Sequence, residues 1–219
     1  MSQQLPLRLR LEGHTSLDDY IGSAADKLLQ LEQLIYLNGA PGCGKSHLLQ
    51  GLCHRALQES ESALYLPMLA TLDSSILIGL ESVSLVCLDD IDDVISERPW
   101  QIAMFHLINA CRDNDTKLVL SATVPVGSIA IELSDLDSRL KAAYLVSTGT
   151  LDDDEKLEVI RLKAERRGFD MDREVCAFIL SRSQRDMHHL ARLVDQLDEE
   201  TLRQQRKVTI PFVKIALGL

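Results

Sequence analysis

With 219 residues, 46% of them hydrophobic and 4% aromatic, the chain can bury an aliphatic α/β core with a small second domain beside it. Its formal net charge of −10, concentrated in residues 1–150, repels a phosphate backbone and disfavours autonomous duplex-DNA binding. A protein partner is expected instead. No apolar run approaches a membrane span, and residues 1–12 lack the n-region, h-region and cleavage site of a secretion signal. A cytoplasmic protein with no membrane partner is expected.

Cys43, Cys53, Cys87, Cys111 and Cys176 form no C-x-x-C pair. They are odd in number and scattered through periodic apolar segments, so buried reduced thiols are expected rather than disulfides or a zinc site. The histidines are equally scattered, and the adjacent His188 and His189 point apart on a helix.

Residues 1–12 read as an extended arm in which Leu5, Leu7, Leu9 and Leu11 alternate with Pro6, Arg8, Arg10 and Glu12. Residues 17–33 look helical. The apolar run 34–38 reads as a strand that ends in a glycine-rich turn, and 46–58 has helical periodicity. Further strands are expected at 63–66 and 83–88, the latter apolar enough to be covered on both faces. Pro99 opens a helix over 100–112, a fourth strand starts at 117–120, a short helix covers 135–141, and a fifth strand lies near 144–146. This alternation predicts a mostly parallel sheet with crossover helices. After Thr150 the strand signals cease, and Asp152-Asp153-Asp154-Glu155 suits a helix N-terminus. Three or four helices follow, broken at Gly168 and around Ser181–Ser183. The expected organisation is an arm over 1–12, an α/β domain over 13–150 and a helical lid over 151–219.

Gly39-Ala40-Pro41-Gly42-Cys43-Gly44-Lys45-Ser46 fits G-x-x-x-x-G-K-[ST] in full, between a strand and a helix. Its glycines let backbone N–H groups wrap a phosphate, and the helix N-terminus adds positive potential. Lys45 is expected at the β/γ-phosphates, and the Ser46 hydroxyl at Mg²⁺. A chance glycine turn is the bland alternative, improbable with three glycines, Lys-Ser and the flanking elements together. Asp89 and Asp90 end the apolar strand 83–88. Asp89 is the expected Mg²⁺ partner and Asp90 a candidate to polarise an attacking water. Paired acids at a strand end are often only a solvated loop, especially with Asp92 and Asp93 following. Ser121 and Thr123, at the end of the fourth strand, would lie between the phosphate loop and Asp89, close to a γ-phosphate, although such residues are equally common as turn formers. Arg139 reads either as a solvated surface residue or as a finger acting on nucleotide held by a neighbouring subunit.

These pieces, in this order and spacing, resemble the AAA+ ATPase class, and more narrowly the Hda-type relatives of DnaA. The resemblance rests on the arm Gln4-Leu5-Pro6-Leu7, the helix start Lys45-Ser46-His47-Leu48-Leu49 and the strand Ser84-Leu85-Val86-Cys87-Leu88-Asp89. It continues through Asp135-Leu136-Asp137-Ser138-Arg139-Leu140, Asp195-Gln196-Leu197-Asp198 and the tail Arg206-Lys207-Val208-Thr209-Ile210-Pro211-Phe212-Val213-Lys214. It implies a P-loop AAA+ parallel-sheet domain followed by an all-α lid, with ADP or ATP and Mg²⁺ as cofactors. Gly39, Pro41, Gly42, Cys43, Gly44, Lys45, Ser46, His47 and the lid His188 are the implied nucleotide set, and Ser46 and Asp89 the implied metal set.

The same resemblance implies docking on the DNA-bound β sliding clamp through Gln4, Leu5, Pro6 and Leu7. It further implies contact with ATP-bound DnaA, and promotion of that protein's ATP hydrolysis by Arg139, which prevents re-initiation of replication. A helix-turn-helix domain like that of DnaA is not expected, in keeping with the acidic charge, so DNA contact would be indirect. Three positions depart from the family pattern. Ser2 stands where the clamp motif would have glutamine, Thr123 where the relatives usually have aspartate, and His188 where the lid helix usually has arginine. A histidine, shorter and mostly neutral at pH 7, suits the γ-phosphate poorly, so the chain's own ATPase is expected to be weak or absent. A stand-alone ATPase and a DnaC-type helicase loader are the competing functions, and a homo-oligomer is left open.

Overall fold

The computed structural model describes residues 15–31, 33–184, 186–204 and 207–218. Gln4, Leu5, Pro6, Leu7 and the rest of the arm lie outside the described residues. Two compact units are present: one holds the described chain up to Thr148 except Pro41–Cys43, and the other holds Pro41–Cys43 and the described chain from Gly149.

In the first unit a 3-10 turn at Leu17–Asp19 precedes α1 (Ala24–Gln30). The continuous helix expected over 17–33 is interrupted because Gly22, at φ +124°, takes a conformation that a helix cannot use. Then follow β1 (Leu34–Asn38), α2 (Lys45–Gln58), β2 (Ala63–Leu66), β3 (Leu85–Leu88), α3 (Arg98–Asp113), β4 (Lys117–Ala122), α4 (Ser134–Lys141) and β5 (Tyr144–Ser147). Strand β3 starts later than the apolar run. The N–H groups of Ser84 and Leu85 both donate to Ser62 O, at 3.0 and 3.1 Å, so the ladder opens only at Leu85.

The sheet is parallel throughout, in the order β2-β3-β4-β1-β5. Its strands read as unbroken apolar runs because alternate side chains feed two cores. On one face Tyr36, Leu66, Val86, Leu88, Leu118 and Leu120 pack with Trp100, Met104 and Leu107 of α3 and with Leu136 and Leu140 of α4. On the other, Ile35, Leu37, Cys87 and Val119 pack with Leu28 of α1 and with Leu48, Leu49, Leu52 and Cys53 of α2. All five cysteines are buried and unbridged.

The second unit consists of α5 (Asp153–Arg166), α6 (Arg173–Arg182), α7 (Met187–Gln204) and α8 (Ile210–Leu217). Helix α5 opens on a capping box: Glu155 N–H donates to Asp152 Oδ1 and Asp152 N–H to Glu155 Oε2, both at 2.8 Å. Ile160, Cys176, Ile179, Leu190, Val194, Leu197 and Val213 form its core. Arg167, just past α5, bridges Asp195 and Asp198 of α7 at 2.7 and 3.1 Å. Among the described residues no helix is long and apolar enough to cross a membrane.

Candidate functional site

The register places the polar side chains. Leu88 pairs with Leu120 across β3 and β4, so the next residues, Asp89 and Ser121, lie side by side. Ser121 lies at the C-terminal end of β4 and Asp89 just past that of β3, where an open α/β sheet holds its ligands. Asn38 pairs with Ala122, and Gly39 N–H continues the ladder to Ala122 O at 3.2 Å. The phosphate loop therefore leaves β1 alongside Ser121.

Within that loop Gly42 and Gly44 have φ of +76° and +88°, the left-handed region that lets successive N–H groups turn inward. A Cβ on Gly44 would lie 3.0 Å from the Tyr20 ring, a second reason for glycine there. Pro41 and Gly42 are exposed and Cys43 is buried. Lys45 is the first residue of α2; its ammonium, only 6% exposed, donates to Gly39 O at 3.1 Å and lies 3.6 Å from Asp90 Oδ1. Ser46 is half-buried in the first turn of α2. His47 does not point a ring nitrogen only at solvent: its Nε2 lies 2.8 Å from Ser16 O, a bond that holds the segment before α1.

Asp89 is 4% exposed. Its Oδ1 accepts from the Ser121 hydroxyl at 2.5 Å and its Oδ2 from the Tyr65 hydroxyl at 2.7 Å. The Ser121 oxygen in turn accepts Asp90 N–H at 2.8 Å. Asp90 sits at φ +50°, ψ +57°, a left-handed conformation uncommon outside glycine, asparagine and aspartate. Burial, and then the Asp89 charge, push the Asp90 carboxyl up against the pull of Lys45. Its Oδ1 is a buried atom without a hydrogen-bond partner. Burial and the adjacent carboxylate raise the Tyr65 hydroxyl well above the ordinary phenol range, which keeps it a donor.

Thr123 follows β4, and both its N–H, at 2.9 Å, and its hydroxyl donate to Asp92 Oδ2. Asp92 is thus tied to the end of β4. Sequence reasoning had no signal for this pairing, nor for Tyr65 or Tyr20; a lone polar tip in the apolar strand β2 was the only hint of Tyr65. His188 lies on α7 in the second unit, with its side chain outside the described residues.

Arg139 projects from α4. The helix is anchored by buried Leu136 and Leu140, and Leu133 N–H just before it donates to the buried Gln101 Oε1 at 2.9 Å. On the same helix Lys141 takes Asp137 at 2.6 Å. The partly buried Arg139 has no ion pair among the described residues.

These residues fit an anion and a divalent cation. Two left-handed glycines, a buried lysine and a helix N-terminus converge on one loop, and the buried Asp89 carboxylate is held on both oxygens at the adjoining strand ends. Among the described residues no group of three or more His, Cys, Asp or Glu forms a protein cage for a metal. Magnesium bound through one or two protein ligands, phosphate oxygens and water needs none. Ser46 and Asp89 would hold the ion, and its chemistry there would be to offset the negative charge of the phosphates.

A family model described as Hda, lid domain, matches residues 153–217, and one described as RNA helicase matches residues 35–124, from β1 through the acidic strand end to β4. An uncharacterised protein of Haemophilus influenzae is 34% identical over 233 aligned positions, covering 100% of both chains. Domain III of the Thermotoga maritima replication initiation protein DnaA has a TM-score of 0.80 at 17% identity, over 95% of this chain and 98% of that one. The chain belongs to the Hda-like homologues of DnaA. AMPPCP-bound DnaA from Aquifex aeolicus matches this Hda-like chain with a TM-score of 0.68 at 19% identity, over 90% of this chain and 69% of that one. The Thermotoga maritima RuvB Holliday junction branch migration motor matches at 0.69 and 17%, over 95% and 73%. The Hda-like chain thus shares the P-loop AAA+ fold of initiators and motors alike, with a parallel sheet followed by a helical lid.

Proposed function

We propose that this chain is a nucleotide-bound adaptor that docks on the DNA-loaded β sliding clamp and promotes hydrolysis of DnaA-bound ATP. Residues 1–12 are the clamp-binding arm, with Gln4, Leu5, Pro6 and Leu7 as its contacts. Residues 13–150 bind ADP or ATP with Mg²⁺, and residues 151–219 form the lid.

The observation that carries this reading is Arg139 on an Hda-like frame. The partly buried arginine has no ion pair among the described residues, on a helix fixed by Leu136, Leu140 and Gln101. A cation so held is available to neutralise charge that develops on a phosphoryl group of another protein. At the chain's own nucleotide, Lys45 and the glycine loop bind and orient the phosphates. Asp90 is the candidate to polarise an attacking water, but its carboxyl lies 3.6 Å from Lys45 Nζ. Such a site suits a held nucleotide better than rapid turnover.

The test follows labelled ATP on DnaA in the presence of this protein and DNA-loaded clamp. Hydrolysis that rises only when all three are present supports the proposal. Equal ATP turnover by the purified chain alone would favour a self-contained ATPase, and association with the replicative helicase instead of DnaA would favour a loader.

A further inference from the structure

The Tyr65 ring packs in the core beneath α2, where phenylalanine would fill the same volume. A hydroxyl buried there costs free energy unless it is bonded, so its partners carry the reason for its presence. One is Asp89 Oδ2, at 2.7 Å. One oxygen on β2 therefore bonds the acid assigned above to magnesium, which follows the neighbouring strand β3.

With Ser121 on Oδ1 and Tyr65 on Oδ2, the Asp89 carboxylate cannot rotate without losing a bond, yet each oxygen keeps a lone pair free. Magnesium demands near-octahedral geometry and gives up water reluctantly, so a carboxylate free to swing would hold it poorly.

We propose that Tyr65 is a positioning residue of the magnesium site, its hydroxyl, together with that of Ser121, holding the Asp89 carboxylate in one orientation for the nucleotide's magnesium. The proposal rests on the reading of Ser46 and Asp89 as the metal-holding pair. A purely structural hydroxyl would stabilise the fold equally with and without the ion, and a hydroxyl that blocks the ion would weaken its binding.

The experiment measures ADP affinity by calorimetry for wild type, Tyr65→Phe and Asp89→Asn, in EDTA and across a Mg²⁺ titration. Electron paramagnetic resonance of Mn²⁺ in the ADP complex gives metal affinity directly. Tyr65→Phe should match wild type in EDTA but need about 10- to 100-fold more Mg²⁺ or Mn²⁺ for half-saturation, the usual cost of removing an outer-shell partner. Because each variant is compared with itself in EDTA, a uniform loss of stability cancels. An unchanged or lower metal requirement in Tyr65→Phe, beside a metal-dependent wild type, would overturn the role of Tyr65 alone. So would weaker ADP binding in EDTA. If wild-type ADP affinity is indifferent to the metal, the reading of Ser46 and Asp89 fails first and the proposal with it.

Discussion

Lys45 Nζ lies 3.6 Å from Asp90 Oδ1, so the cation of the phosphate loop rests against the second acid of the neighbouring strand end. The pair is asymmetric: the lysine is 6% exposed and the aspartate 42%. An arriving phosphate competes for the buried partner and leaves the exposed one to water, a cheap exchange because half-exposed pairs contribute only about 0–1 kcal/mol.

Lys45→Ala should therefore change the melting of the ligand-free protein little while abolishing its response to nucleotide. Wild type should gain about 2.7 kcal/mol at ADP concentrations 100 times Kd. Thermal melting with and without Mg-ADP measures both. A wild-type midpoint that saturating Mg-ADP leaves unmoved would sink the nucleotide site.

Arg139→Ala should leave folding, nucleotide binding and clamp binding near wild type, while hydrolysis on DnaA falls towards its unstimulated rate. A finger is typically worth about 10³–10⁵ in rate, and lysine should rescue poorly because it lacks the planar fork. Gln4→Ala with Leu5→Ala is the contrasting variant: it should lose clamp binding by surface plasmon resonance and keep nucleotide affinity. Full stimulation by Arg139→Ala would remove the finger from the mechanism.

Gly51→Ala sets two effects against each other. Alanine inside α2 should gain about 1 kcal/mol of helix propensity. A Cβ there, however, would lie 2.9 Å from Leu17 Cδ2 and 3.1 Å from Leu17 N. The side chain can move but the backbone of the turn cannot move cheaply, and overpacking typically costs about 1–3 kcal/mol. Net destabilisation is expected in urea unfolding; a stabilised variant would mean that the turn at Leu17 is only loosely held.

Burial, then the charge of Glu81, pushes the Cys111 thiol up to about 12, and burial pushes Cys176 up to about 11, from 9.0. Both groups hold their protons more tightly folded than unfolded. Their contribution is fully present below pH 9.0 and is lost as pH rises towards 11 and 12. Native protein at pH 8 should react slowly with a thiol reagent and release five equivalents only in denaturant. Unfolding free energy should fall above pH 9.0. Immediate release of all five from native protein would contradict the burial.

The strand, loop and helix around Lys45 were legible because their causes are contiguous: an apolar run, a glycine-rich turn, and a helical repeat read from Ser46, one residue inside the observed helix. The same holds for Asp89 as the residue that follows β3, and for the disappearance of strands after Ser147 among the described residues. The helix expected over 17–33 failed at Gly22, where one backbone angle outweighed the apolar spacing.

What the sequence determined by itself was the set of elements and the type of loop, since both follow from neighbours along the chain. Which hydroxyls cap Asp89 was decided only by the tertiary structure. Tyr65 and Ser121 are 24 and 32 residues away, on strands to either side, and meet the carboxylate through the parallel register of β2, β3 and β4. The bond from Thr123 to Asp92, and the absence of an ion pair at Arg139 among the described residues, have the same origin. Hydrogen bonding needs donors and acceptors within about 3 Å, and between distant residues that distance exists only once the strands have been laid side by side.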